Sequence, residues 1–105
     1  MNNTAELSRE TVLAALRSVI DPELGFNIVD LGLIYRVDVQ AGVIKITMTM
    51  TTPGCPAQDY ILSGVLERSQ RLPGVRDVLI DLVWEPHWCA QKMSPLAKAH
   101  FGIQG

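Results

Sequence analysis

Cys55 is the strongest candidate for a chemically reactive residue in this 105-residue chain. It stands in the segment Thr-Thr-Pro-Gly-Cys-Pro, residues 51–56, between a stretch with strand alternation and a stretch with helical spacing. Because Pro56 suits the first position of a helix, the sequence predicts Cys55 as the N-cap residue. The unpaired N–H groups and the dipole of a helix N-terminus favour a thiolate, which is both a nucleophile and a metal ligand. We therefore predict a reactive thiol at Cys55, with a plain capping residue as the alternative.

Three residues just before the cysteine are predicted to support it. Gly54 allows backbone angles that other residues avoid, and Thr51 and Thr52 offer hydroxyl donors. The segment lacks the lysine of a phosphate-binding P-loop, so the sequence does not predict nucleotide binding here.

A second group of metal-ligating residue types lies near the carboxyl end of the chain. His87 and Cys89 are two positions apart, so in an extended segment they point to the same side. Imidazole and thiolate suit zinc or iron, and the pair could join Cys55 in one metal site. Three ligands are one fewer than a closed tetrahedral site needs, and an incidental thiol at Cys89 is the alternative.

Three carboxylates, Asp21, Glu23 and Asp30, are close in sequence. Asp21 could cap the turn that follows it, and all three could face solvent without a chemical role. No partner base can be assigned to them, and the chain has no recognisable Ser/His/Asp arrangement, Walker loop or dinucleotide fingerprint. The sequence therefore does not support general acid–base catalysis.

The elements that position these residues can be predicted from the apolar pattern. A first helix is predicted from its N-cap, Ser8, to Asp21-Pro22, because the residue before a proline is disfavoured in a helix. Strands are predicted over residues 33–39 and 43–51, joined by a hairpin loop that contains glycine. The residues expected on the apolar face of the helix are Val12, Leu13, Leu16, Val19 and Ile20.

A second helix is predicted from the Cys55 turn to Pro73-Gly74, followed by a strand over residues 76–84. A short last helix is predicted with Ser94 as N-cap, proline at its first position and Gly102 at its end. The residues expected on the buried stripe of the second helix are Ile61, Leu62, Val65, Leu66 and Leu72.

The order of these elements predicts an α+β fold in a single small domain over residues 1–105. A helix, a β-hairpin, a second helix and a strand follow one another, and the hairpin's second strand, the helix and the last strand form one βαβ unit. The result is a mixed three-stranded sheet packed by helices. Parallel strands end at the same edge of a sheet, so we expect the Cys55 turn and residues 85–89 to lie together there.

Composition excludes several classes of protein. Hydrophobic residues make up 48% and charged residues 19% of the chain, which is not typical of disordered, collagen-like or coiled-coil sequences. The net charge of −2 disfavours binding to nucleic acid. No apolar run is long enough for a membrane span, and the first residues lack the features of a signal peptide. Two cysteines are too few for a disulfide scaffold, so a reducing, cytoplasmic location is predicted.

Five motifs in a fixed order make this sequence resemble a known family. They are DPEL at 21–24, NIVDLGLIY at 27–35, TTPGCP at 51–56, VWEPHW at 83–88 and Met93-Ser94. Their combination resembles the SufT/PaaD-type family of iron–sulfur cluster assembly factors, which is related to the cytosolic iron–sulfur targeting component of eukaryotes. The resemblance covers nearly the whole chain and implies an α+β domain that helps to mature iron–sulfur proteins.

The resemblance also implies residue roles, cargo and partners. Cys55 matches the family's reactive cysteine, whereas Cys89 stands where many members have no cysteine. The matching supporting residues are Asp21 and Glu23 in the acidic turn and Thr51 and Thr52 before the cysteine. A transient iron–sulfur cluster or iron is the implied cargo. The implied partners are apo iron–sulfur proteins, other assembly factors and a second copy of the chain.

Our leading interpretation is a non-catalytic assembly or carrier protein. One thiolate per chain cannot complete the four-thiolate shell usual for a cluster, so Cys55 would need a dimer, a partner or a small thiol to share the cluster. Two alternatives stay open. The chain could be a redox enzyme that uses the Cys55 thiol, or an interaction module that binds clients without metal chemistry of its own.

Overall fold

A mixed three-stranded sheet with helices packed against one face forms the centre of the protein in a computed structural model, which describes residues 7–54 and 56–103. The elements in chain order are α1 (Arg9–Leu16), β1 (Ile20–Asp21), β2 (Phe26–Asn27), β3 (Ile34–Gln40), β4 (Val43–Met48), α2 (Gln58–Gln70), β5 (Asp77–Leu82), a 3₁₀ helix (Ala90–Lys92) and α3 (Pro95–Phe101). None of the helices in these described ranges has the length and apolar composition needed to cross a membrane.

The sheet has the order β3-β4-β5. β3 and β4 are antiparallel and are joined by Ala41 and Gly42, whose φ angles of 52° and 81° have the sign that a two-residue type I′ hairpin requires. β5 runs parallel to β4, with Ile80 opposite Ile46. The predicted βαβ unit is therefore confirmed, because α2 connects two adjacent parallel strands.

Alternation along β4 builds the core, as predicted. Ile44, Ile46 and Met48 are fully buried, whereas Lys45 between them is exposed. Strict alternation over the predicted strand, residues 43–51, would place Thr49 on the outer face with Lys45, but Thr49 is also buried, at 1% exposure. β4 has already ended at Met48, so strict alternation no longer determines the direction of this side chain.

The first helix begins as predicted and ends earlier than predicted. The Ser8 Oγ accepts a hydrogen bond of 3.2 Å from the Thr11 N–H, which caps α1. The helix stops at Leu16, and the chain then enters a small hairpin in which Ile20 pairs with Asn27. Ile20, predicted on the apolar helix face, is therefore in β1 and 40% exposed. The proline at position 22 disfavours helix at Asp21 alone, so it does not set the earlier end.

The second helix starts later than predicted. Its first residue is Gln58 and its N-cap is Ala57, which has φ −79°, ψ −6° and no side-chain cap. The prediction that Cys55 is the N-cap residue and Pro56 the first helical residue is therefore wrong. Proline's fixed φ suits a turn as well as a first helical position, and here it belongs to a turn that precedes the helix. Cys55 itself lies outside the described residues.

The buried stripe of α2 is also rotated from the predicted one. Ile61, Val65 and Ser69 are buried at positions four apart, whereas Leu66 is 37% exposed and is not a core residue. A Cβ on Gly64 would lie 3.0 Å from the Val19 Cγ1, so α2 approaches the segment after α1 closely at this glycine. This contact fixes the rotation of α2 and leaves Leu66 at the margin of the core.

Candidate functional site

The ends of the two parallel strands bring two loops to one edge of the sheet. Met48 and Leu82 are paired at the ends of β4 and β5, and the Val83 N–H donates a 2.8 Å hydrogen bond to the Met48 carbonyl. The chain leaves β4 into residues 49–57 and leaves β5 into residues 83–89. The prediction that both loops start at the same edge is confirmed for the described residues.

The residues just before Cys55 form an exposed turn. Thr52, Pro53 and Gly54 are exposed, and Thr51 is half-buried. Gly54 has a φ of 71°, and a Cβ there would meet no atom within 4 Å. A glycine at this position therefore serves the backbone conformation and not the available space. The turn leaves the approach to this part of the chain open to solvent.

The acidic turn is organised by the buried Asp21. Its Oδ1 accepts hydrogen bonds from the N–H groups of Glu23 and Leu24, at 2.8 and 3.2 Å. Its carbonyl accepts a third bond, of 2.7 Å, from Gly25. The expectation that Asp21 caps the turn is confirmed. The Glu23 side chain is exposed, so of the two carboxylates only that of Asp21 is buried in the turn.

Asp30 joins two distant parts of the chain. The Asn27 Nδ2 donates a 2.7 Å hydrogen bond to the Asp30 Oδ2, and the Asp30 N–H donates back to the Asn27 Oδ1 at 2.9 Å. The Asp30 carbonyl accepts a bond of 2.8 Å from the Ser94 N–H, at the start of α3. The hydrogen bond from Asn27, more than a separate side-chain hydrogen bond with Ser94 and the Arg17 charge, lowers the pKa of the Asp30 carboxyl from its ordinary value, against the effect of burial.

Residues 86–94, which we call the carboxyl-terminal strap, cross over the loop of residues 27–35. The Trp88 Nε1 donates a 2.7 Å hydrogen bond to the Leu31 carbonyl, and the Tyr35 hydroxyl donates one of 2.8 Å to the Pro86 carbonyl. The Lys92 Nζ lies 5.2 Å from the centre of the Tyr35 ring. Through these contacts, the segment of residues 27–35 and the strap hold each other in place. Sequence reasoning missed their pairing, although aromatic residues inside both motifs were a signal.

The strap carries both of the additional metal ligands predicted from the sequence. Cys89 is an exposed free cysteine, and the exposed His87 Nε2 lies 3.4 Å from the Glu85 Oε2. Burial and the nearby Cys89 and Glu85 raise the pKa of the Tyr35 hydroxyl. Within residues 7–54 and 56–103, no three His, Cys, Asp or Glu side chains converge to hold a metal ion. A shared site with Cys55 stays a prediction.

The chain also matches known proteins. The model of a family described as "Iron-sulfur cluster assembly protein" matches residues 9–82. The chain belongs to this family. A Porphyromonas gingivalis protein named "Fe-S protein maturation auxiliary factor" is 45% identical over 104 residues, which cover 98% of this chain and 99% of that protein. "Fe-S protein maturation auxiliary factor SufT" of Staphylococcus aureus is 42% identical over 86 residues, covering 81% of this chain and 98% of that protein. The predicted resemblance to the SufT-type family is confirmed.

A solved structure of a similar protein has the same fold as this chain. The structure titled "Crystal Structure of Domain of Unknown Function DUF59 from Bacillus anthracis" aligns with a TM-score of 0.84 and 42% identity, covering 90% of this chain and 92% of that one. The predicted α+β fold is confirmed. The matched family segment runs from α1 to the end of β5, so it includes position 55 and stops before the strap.

Proposed function

We propose that this protein helps to mature iron–sulfur proteins by carrying an iron–sulfur cluster, or iron, as cargo on the Cys55 thiolate and passing it to apo-proteins. The observation that carries the proposal is its similarity, over 98% of the chain, to a protein named as an Fe-S protein maturation auxiliary factor. Apo iron–sulfur proteins and other assembly factors are the proposed partners. The proposed location is the cytoplasm, whose reducing conditions keep thiols free.

The chemistry of a thiolate suits this cargo. Thiolate sulfur is the usual ligand of iron in clusters, and the cargo would pass on when a client thiolate replaces Cys55 at iron, a ligand exchange without change of oxidation state. The exposed turn of residues 52–54 supports access by a client to this part of the chain. We propose that Thr51, Thr52 and Gly54 support the Cys55 thiolate. We also propose that the acidic turn with Asp21 and Glu23 supports the loop of residues 49–57.

A single thiolate leaves most of the iron coordination to other groups. A cluster held by Cys55 therefore needs ligands from a second copy of the chain, a client or a small thiol, and such shared coordination favours a labile cluster. Cys89 and His87 are the candidates within the same chain, because the strap that carries them follows a strand that ends at the same sheet edge. Both are exposed, so they are open to a ligand.

Anaerobic reconstitution with iron and sulfide tests the proposal. We expect the wild-type chain to develop visible absorption from a cluster, and Cys55→Ser to lose it, because serine removes the sulfur ligand. Cys89→Ser is the matched control, since it removes the other thiol of the chain. The measurements are visible absorption together with iron and sulfide per chain.

The three variants separate the proposed ligand sets. A cluster lost with Cys55→Ser and kept with Cys89→Ser supports a cluster shared between Cys55 and ligands outside the chain. A cluster lost with either variant supports a site that contains both thiols. A cluster that Cys55→Ser retains in full, or no cluster in any variant, contradicts the proposed carrier chemistry and favours a client-binding module.

A further inference from the structure

β3 is an edge strand of the sheet. Within residues 7–54 and 56–103, the strand order β3-β4-β5 gives it a neighbour on one side alone. Gln40 and Val43 flank the two-residue hairpin turn and so form a hydrogen-bonded pair, which directs the backbone groups of Asp38 toward β4 as well. The backbone N–H and C=O of Val37 and Val39 then point outward. Among the described residues, no backbone hydrogen bond from another element reaches them. An unpaired edge of this kind is a template for another strand.

The charges along this edge match a second copy of the same strand. Arg36 and Asp38 lie on the outer face of the sheet, with the Arg36 Nε 2.9 Å from the Asp38 Oδ2 and with 72% and 46% of their side chains exposed. An antiparallel alignment centred on Val37 sets Arg36 opposite Asp38 of the second copy, and Asp38 opposite its Arg36. Each of these pairs is attractive and falls between hydrogen-bonded positions, where facing side chains lie closest.

The other edge of the sheet lacks this property. β5 carries Asp77 and Asp81, and an antiparallel alignment of two β5 strands centred on Leu79 sets these aspartates against each other. Like charges at directly opposite positions destabilise a strand pair. Pairing of two β3 strands therefore sets opposite charges against each other, whereas pairing of two β5 strands sets like charges against each other. β3 is the favourable edge for self-association.

We propose that two copies of the chain associate through β3, forming a continuous six-stranded sheet about a two-fold axis at Val37. This contact goes beyond the proposed function, because it sets the Met48 ends of the two β4 strands, which lead into the loops that carry Cys55, at opposite ends of the joined sheet. A bulge between Ile34 and Arg36 ends the regular pairing at the start of β3, so the contact between copies is short. We therefore expect a dimer that dissociates on dilution.

Sedimentation analysis of the metal-free protein over a range of concentrations tests this contact. Arg36→Asp and Asp38→Arg each set like charges opposite one another at two symmetric positions, and each should weaken association about tenfold or more. The double variant Arg36→Asp/Asp38→Arg restores opposite charges at both positions and should return association to the wild-type level. Asp81→Lys, an equally large charge change on β5, is the matched control and should leave association unchanged.

Circular dichroism melts of the same samples identify any variant that fails to fold. If a single variant fails to fold, the test compares the association of the double variant with that of the wild type. A wild-type chain that stays monomeric at all concentrations overturns the proposal. So does a dimer that neither single variant weakens, or one that the double variant fails to restore. Since no metal is present, these results are independent of cluster binding by Cys55, and a monomer would leave cluster sharing with a client or a small thiol intact.

Discussion

At the scale of single residues, Asp30 shows how one carboxylate connects local and distant structure. Its side chain bonds to Asn27, three residues earlier, while its carbonyl accepts from Ser94, at the start of α3. The side chain is 14% exposed, so its charge is partly desolvated as well as hydrogen-bonded. Because the bond from Asn27 to the carboxylate favours the ionised form, Asp30 links stability to pH.

We predict that Asp30→Asn lowers the free energy of unfolding by about 1–2 kcal/mol at pH 7, because the bond from Asn27 to a charged carboxylate is replaced by a weaker bond to a neutral amide. The pKa of Asp30 is lower in the folded chain, so its contribution is fully present above the ordinary value of about 4 and is lost as pH falls through the folded value. Urea unfolding of both proteins from pH 7 to acid should show the difference shrinking. Asp81→Asn on the surface of β5 is the control, and a constant difference at every pH would contradict the assignment.

Sequence reasoning succeeded for residues whose partners are local. Ser8 and Ser94 were predicted as helix caps and are caps, because each hydroxyl bonds to an N–H three residues later. The surroundings of Asp30 could not be predicted in the same way, since the strap that covers it is distant in sequence. Cys55 was found from residue type and position, and its chemical role stays a prediction.

At the scale of elements, the second helix shows that an apolar pattern does not determine which face of a helix is buried. Both Val65 and Leu66 suit a helix stripe, and the sequence alone does not decide which of two neighbouring rotations packs inward. The close approach at Gly64 decides it, and that contact depends on Val19 from another element. The buried stripe then ends on Ser69, a polar residue that an apolar pattern does not identify.

Paired substitutions test this rotation of α2. Ile61→Ala should lower the free energy of unfolding by about 2–5 kcal/mol, because it opens a cavity in the core. Leu66→Ala, on the exposed margin, should lower it by less than about 1 kcal/mol. Denaturant unfolding measures both. Equal losses, or a larger loss at Leu66, would show that the helix is rotated toward the face predicted from the sequence.

A second prediction at the scale of elements concerns the packing of the strap against Gly32. A Cβ on Gly32 would lie 2.3 Å from the Lys92 carbonyl oxygen, and Gly32 has a φ of 83°. Gly32→Ala should therefore lower the free energy of unfolding by about 2–4 kcal/mol, through backbone strain and displacement of the strap. Gly25→Ala is the matched control, because its φ is 70° and a Cβ there meets nothing within 4 Å. It should cost about 1–2 kcal/mol, and equal losses would contradict close packing of the strap on Gly32.

At the scale of the whole molecule, topology was the most predictable feature. The alternation in β4, the helix that follows it and the alternation in β5 were enough to predict a βαβ unit. The common edge of the two parallel strands then followed without any side-chain detail. The pairing of the strap with the loop of residues 27–35 did not follow, because no local pattern encodes a contact between segments more than fifty residues apart.

The central claim, that Cys55 passes an iron–sulfur cluster to apo-proteins, is tested most directly by a transfer assay. Reconstituted protein is mixed anaerobically with an apo iron–sulfur enzyme and an iron chelator, and the appearance of enzyme activity is followed. We predict activation by the wild type and by Asp81→Asn, which changes an exposed residue of β5 and leaves the thiols unchanged, and loss of activation with Cys55→Ser. Activation by Cys55→Ser at the wild-type rate would contradict the claim.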